Sequence, residues 1–102
     1  MNPMDTLVGD ATARLADLER AMHDLAEVRG RHTTPDGLIT ALVDGHGALI
    51  ELHLAEAITT LPAREIGPAV AAACAEAAAR AAERRAEVVA QLSAAFTHHA
   101  TP

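Results

Sequence analysis

The sequence predicts an α+β fold: one helix, a three-stranded antiparallel meander and a long second helix. Three observations lead there. Apolar residues recur at alternating steps of four and three along the first stretch of the chain. The middle carries two turn sequences set between short apolar runs. The last stretch is rich in alanine and, after Pro68, contains no glycine or proline until the final residue.

The first helix is expected over residues 4–27. Met4, Val8, Ala11, Leu15, Leu18, Met22 and Leu25 form a heptad seam held for about three heptads. Asp10–Arg14 and Arg20–Asp24 are opposite charges four apart, each pair worth about 0.2–0.5 kcal/mol. Gly30 is read as the stop signal. The cover expected for the seam is the chain's own sheet and a dimer mate; a helix of another protein is the competing occupant.

Strands are expected over residues 28–34, 38–43 and 48–54. Pro35-Asp36-Gly37 is a turn with a mechanism, since Pro presets φ and Gly accepts the positive φ of a tight turn. The run Leu38-Ile39-Thr40-Ala41-Leu42-Val43 is apolar on both faces, which places it at the centre of the sheet. After Asp44-Gly45-His46-Gly47, a second turn, Ile50, Leu52 and Leu54 alternate with Glu51 and His53, the pattern of a strand with one buried and one wet face.

Residues 59–62 link the sheet to a helix expected over residues 63–97. Pro62 suits its first turn. A break or kink is expected at Gly67-Pro68, because Pro68 has no backbone donor. The apolar stripe is made of small residues (Val70, Ala73, Ala77, Ala81) before Val88, Leu92 and Phe96. From residue 69 to 97 the rod is roughly 43 Å long, more than a domain of this size covers. The tail from His98 onward is expected to fray.

The chain has 102 residues, which bounds it to a single domain. Phe96 is its only aromatic residue, and alanine buries little surface at about 25 cal/mol per Å². Oligomerisation is therefore expected to supply part of the stability. A lone cysteine, Cys74, excludes an intrachain disulfide and a cysteine-rich metal site. It is read as a small buried residue, and Glu76 nearby does not favour a thiolate. Asp5 and Asp10 precede the first Arg, so the start of the chain does not read as a signal peptide. The apolar run at residues 69–75 falls far short of the ~18 residues of a membrane span.

The net charge is −6, with no Lys. The average field repels nucleic acid and anionic membranes, so any DNA contact has to come from a local patch. Residues 1–30 hold three Arg against six acids, residues 31–60 one against four, and residues 61–102 four against four. Only the last segment escapes a negative balance.

In that segment Arg80, Arg84 and Arg85 form the densest basic cluster, and Arg80 and Arg84 share a helix face. Phosphates are what such a cluster would hold. The competing reading is an ordinary solvated face, with Glu76 pairing Arg80 while Glu83 and Glu87 dilute the patch. Arg64 is a further candidate, with Arg14, Arg20, Arg29 and Arg31 behind it. Asp44, His46, Glu51 and His53 are metal-ligand types near one hairpin, but their positions do not require them to converge. His98-His99 belongs to the tail. There is no nucleophile–base pairing and no phosphate-binding glycine loop, so no enzyme, cofactor, metal or small-molecule substrate is expected.

The chain resembles the YbaB/EbfC family of bacterial nucleoid-associated proteins. The likeness rests on Pro35-Asp36-Gly37-Leu38-Ile39-Thr40, on Val43-Asp44-Gly45-His46-Gly47, on the strand from Leu49 to Leu54, and on Leu61-Pro62-Ala63-Arg64-Glu65-Ile66. It extends over nearly the whole chain. The resemblance implies a tweezer-shaped homodimer with central sheets and projecting helices. It also implies cytoplasmic, nucleoid-associated binding of double-stranded DNA with little sequence preference. On Arg80, Arg84, Arg85 and Arg64 the implied contact is to the phosphate backbone. The Ala- and Arg-rich, Lys-free composition further resembles proteins of high-GC actinobacteria, where relatives often accompany type VII secretion systems. The alternative reading is an acidic dimeric interaction or adaptor module, secretion-associated, with a protein partner and little or no DNA affinity. The acidic first sixty residues favour it.

Overall fold

The computed structural model describes residues 3–100, and the side chains of residue 4 and residues 6–97. The chain runs through α1 (Pro3–Glu27), β1 (Arg29–Thr33), β2 (Ile39–Asp44), β3 (Leu49–Leu54), a 3₁₀ turn (Glu56–Thr60) and α2 (Ala63–Ala100). The strands form one antiparallel sheet in the order β1-β2-β3. This is the α+β arrangement expected from the sequence. The backbone of α2 continues to Ala100; the side chains of His98 and His99, and the last two residues, lie outside the described part.

Local chemistry explains the turns. Gly37 N–H donates to the Thr34 carbonyl (2.8 Å), and Gly37 takes the positive φ that a side chain disfavours. The second turn closes by Gly47 N–H to the Asp44 carbonyl (3.0 Å), again with a positive φ at the glycine. At the end of α1, the Arg29 guanidinium donates to the carbonyls of Ala26 (3.0 Å) and Val28 (2.8 Å). A cation there complements the negative end of the helix dipole.

Three expectations about the elements need correction. Gly30 is not a helix stop: it lies inside β1, paired with Val43, and its hydrogens face α2. A Cβ there would sit 2.0 Å from the Ala77 carbonyl oxygen and 2.7 Å from the Ala81 amide nitrogen. The glycine thus permits close approach of strand to helix. Second, α2 runs on from Ala63 through Pro68 without a break. Pro68 lies near the helix start, so the lost donor leaves only the Arg64 carbonyl without its helical partner. Third, the connection to α2 is not bare linker: Glu56–Thr60 is a 3₁₀ turn that buries Ile58.

The core is a thin layer between α2 and one face of the sheet. Ile39, Ala41 and Val43 of β2 meet Ala73, Ala77 and Ala81 of α2, with Val28, Ile58, Ala21 and Val88 completing it. Five of these ten buried residues are alanine, so the layer is shallow. α2 packs on β1 and β2. β3 is exposed along its whole length, contrary to the alternation in its sequence. Leu52 and Leu54 pair with Ala41 and Ile39 and so share the α2-side face, yet no helix covers them. A bulge at Ile50, between the Val43–Leu49 and Leu42–Glu51 pairs, further disturbs that strand.

The helices run far beyond the sheet. The radius of gyration is 20.6 Å, against about 13 Å for a compact domain of this length. The molecule extends 72 × 19 × 17 Å. α1 packs on α2 through Ala21, with Ala13, Arg14, Asp17, Asp24 and Leu25 half-buried beside it. Arg20 reaches back to Asp17 (3.5 Å) and not forward to Asp24 as expected from the spacing. Of the heptad seam, Leu25 packs beside the core, while Met4, Val8, Leu15 and Met22 are exposed.

Two glycine substitutions should separate packing from propensity. Gly30→Ala forces backbone atoms apart and should destabilise by about 3 kcal/mol or more, given that overpacking inside a core already costs 1–3. At Gly67 nothing lies within 4 Å of a built Cβ, so Gly67→Ala should raise stability by about 0.5–1 kcal/mol through helix propensity. Thermal melts followed by circular dichroism will show both, with about 4–8 °C expected per kcal/mol.

Candidate nucleic-acid interface

The four arginines singled out in the sequence all lie on α2, but they do not form one patch. Arg80 and Arg84 face an open cleft of about 610 Å³ between α2 and the end of α1. Asp24, Glu27, Glu83 and Glu87 line the same cleft, together with Arg29. Four carboxylates therefore face three guanidinium groups. Arg80 donates to the Arg31 carbonyl (3.1 Å), which ties α2 to the outer edge of β1, in place of the expected pair with Glu76. Arg84 pairs with Glu87 at 3.0 Å. That pair is exposed, so it is worth little to stability, but it partly neutralises the charge a phosphate would meet.

Arg85 stands about 100° further round the helix. It lines a second groove of about 650 Å³, between α2 and the β2–β3 turn, with Gly45, His46, Gly47, Ala82 and Val89 among its walls. No acid lines this groove among the described residues. None stands three or four positions from Arg85 on the helix either: the neighbours are Ala81, Ala82, Val88 and Val89. His46 adds a second nitrogen base at the same mouth. Arg64 is exposed in the first turn of α2, also without an acid at helical spacing. Arg64 and Arg85 are about 32 Å apart along α2 and within about 60° of one face. All four arginines are exposed, but Arg80 and Arg84 are engaged, by the Arg31 carbonyl of β1 and by Glu87 on the same helix, while no acid lines the groove at Arg85 or stands at helical spacing from Arg64.

The turn that presents His46 is held by Asp44. Its Oδ1 accepts from the backbone N–H of His46 (2.8 Å) and of Ala48 (3.0 Å). These bonds hold the Asp44 carboxyl below its ordinary value of 3.8, helped by the nearby His46 and Arg29. Asp36 is lowered likewise, first by the Thr34 hydroxyl and then by the Leu38 N–H. Asp44 is therefore a turn-holding group. Glu51 and His53 pair with Leu42 and Thr40 on the opposite, solvent face of the sheet. Among the described residues, no three of His, Cys, Asp and Glu converge on a metal position. Cys74 is half-buried beside the core. No helix among the described residues is long and apolar enough to cross a membrane.

Comparison with family models gives a match over nearly the whole chain. A model described as the YbaB/EbfC DNA-binding family fits residues 1–96. No curated protein and no solved structure matches the chain.

The role of Asp44 gives a pH prediction with a definite sign. A carboxyl with a lowered folded-state pKa stabilises above its unfolded value and loses that contribution as pH falls through the folded value. The window for Asp36 and Asp44 therefore lies below pH 3.8. Asp44→Asn should lower the melting temperature at pH 7 and shrink the difference between melts at pH 7 and in that acid window.

Proposed function

Because the chain belongs to the YbaB/EbfC DNA-binding family, we propose that it binds duplex DNA as a homodimer, by phosphate contacts with little sequence preference. The family match over residues 1–96 carries this reading and supports a nucleoid-associated role. The proposed contacts are Arg64 and Arg85 first, with Arg80 and Arg84 joining when phosphate displaces Glu87 and its neighbours. The spacing of about 32 Å between Arg64 and Arg85 approaches one turn of duplex, 34–36 Å. Guanidinium groups suit this task because they grip phosphate oxygens in a fork and carry no base information by themselves.

Dimerisation is proposed through β3. Its outer edge offers unpaired backbone donors and acceptors, and Leu49, Leu52 and Leu54 are 50%, 36% and 41% exposed. A second copy adding its own β3 would extend the sheet and cover those leucines with a self-complementary contact. Each dimer would then present every arginine twice. The adaptor reading draws support from the Arg80–Arg84 cleft, where carboxylates outnumber guanidinium groups; it predicts little or no DNA binding even at low salt.

Fluorescence anisotropy of a labelled mixed-sequence duplex, titrated at low and near-physiological salt, tests the DNA reading. Saturable binding that weakens with salt is expected. Arg64→Ala with Arg85→Ala should weaken it alike on all sequences and flatten the log–log salt slope by roughly 3 to 4, at about 0.9 per phosphate and four contacts per dimer. Binding untouched by loss of Arg64, Arg80, Arg84 and Arg85 together would discard this surface, and absence of binding at low salt would favour the adaptor. For the dimer, light scattering at low micromolar concentration should give twice the 10.6 kDa chain mass. Leu52→Arg should move it to the mass of one chain if β3 is the interface.

A further inference from the structure

β3 ends the sheet with two polar side chains that the chain itself does not pair. Glu51 and His53 lie on the solvent face, opposite Leu42 and Thr40. Among the described residues, neither side chain takes part in a hydrogen bond or an ion pair. Arg31 shares that face but lies two strands from Glu51, about 10 Å away. The backbone alternates in step with the side chains. Ala55 N–H donates to the Leu38 carbonyl (2.8 Å), so Ala55, His53 and Glu51 turn their backbone groups toward β2. Leu52 and Leu54 turn theirs outward, and the bulge at Ile50 ends the regular edge.

We propose a register for the β3 contact, resting on the β3 dimer of the preceding section: the two strands meet antiparallel with Leu52 on the two-fold axis, and Glu51 of each copy pairs with His53 of the other. Facing residues of an antiparallel pair point to the same side of the sheet, whereas neighbours along a strand point to opposite sides. The axis therefore passes through a residue position and not between two. The regular edge runs from Glu51 to Leu54. An axis at Glu51 sets carboxylate against carboxylate. At His53 it sets the two imidazoles together and leaves Glu51 against Ala55, and at Leu54 it leaves most of the edge unpaired. Only with the axis at Leu52 does each Glu51 carboxylate accept from a His53 imidazole N–H, twice by symmetry. On the other face Leu52 meets Leu52, and the two exchange both backbone hydrogen bonds because their N–H and C=O groups point outward.

This register also orients the helices. A two-fold axis perpendicular to the sheet returns each face to its own side. Both α2 helices then stand on one side of a continuous six-stranded sheet, with the Glu51–His53 pairs on the other. α2 packs on β1 and β2, so four strand spacings, about 19 Å, separate the two helix axes where they cross the sheet. The α2 arginines of both copies therefore rise from the same side of the sheet.

Cysteine linking and a side-chain exchange test the register. In a Cys74→Ser background, Leu52→Cys should oxidise to a linked pair several-fold faster than Leu54→Cys. The Cα atoms of a hydrogen-bonded facing pair lie about 5.5 Å apart, within disulfide reach, while Leu54 faces Ile50 of the other copy. Sedimentation equilibrium follows the exchange. His53→Glu should weaken the dimer about ten-fold by setting carboxylates against each other, and Glu51→His/His53→Glu should restore it. All these positions are exposed, so the variants should keep the wild-type circular dichroism spectrum. Equal linking at the two leucine positions, or a double variant no tighter than His53→Glu alone, would overturn the register; where Leu52→Arg still gives single chains, the β3 dimer itself stands. A dimer indifferent to Leu52→Arg would overturn both.

Discussion

The contact of β1 with α2 at Gly30 sets the geometry of the rest. With Ala77 and Ala81 fully buried against it, the strand meets the helix backbone almost directly. Close approach of this kind makes a thin core and saves space, but it limits what one helix can cover. α2 lies over β1 and β2 and leaves β3 uncovered. The same thinness leaves little apolar surface to bury per residue in an alanine-rich chain with a single aromatic.

That packing also decides which charges are available. Bringing α2 against β1 puts Arg80 within reach of the Arg31 carbonyl, and bringing α1 back along α2 lines the adjoining cleft with Asp24 and Glu27. Arg85, one residue beyond Arg84, escapes because the helix turns it toward the β2–β3 loop. A net charge of −6 therefore coexists with a groove that no acid lines among the described residues. Phosphate binding depends on that local field more than on the total, since exposed charges farther than about 8–10 Å are largely screened at ordinary salt.

The exposed apolar surfaces lie at two ends of the molecule: the sheet end carries β3 and its turn, and the long helical arm carries Met4, Val8, Leu15 and Met22.

The sequence by itself determined the element types and their order. Heptad spacing, turn glycines and alternation are local signals, and the backbone obeys them directly: α1, the meander and the long α2 all follow. Pro35-Asp36-Gly37 and Asp44-Gly45-His46-Gly47 identified both turns, because the demand for positive φ is written in the residue itself. Only the tertiary structure decided which face each element buries. The alternation of Ile50, Leu52 and Leu54 promised a buried face, but burial needs a cover, and α2 reaches only two strands. Gly30 read as a helix stop until the nearness of the Ala77 carbonyl gave it another purpose. Likewise Arg80, Arg84 and Arg85 were visible as a cluster, while the engagement of Arg80 depends on the Arg31 carbonyl, distant in the chain, and the acid-free groove at Arg85 on the β2–β3 turn. Patterns within one element are set by its own backbone period; exposure and pairing are set by neighbours that folding brings from elsewhere.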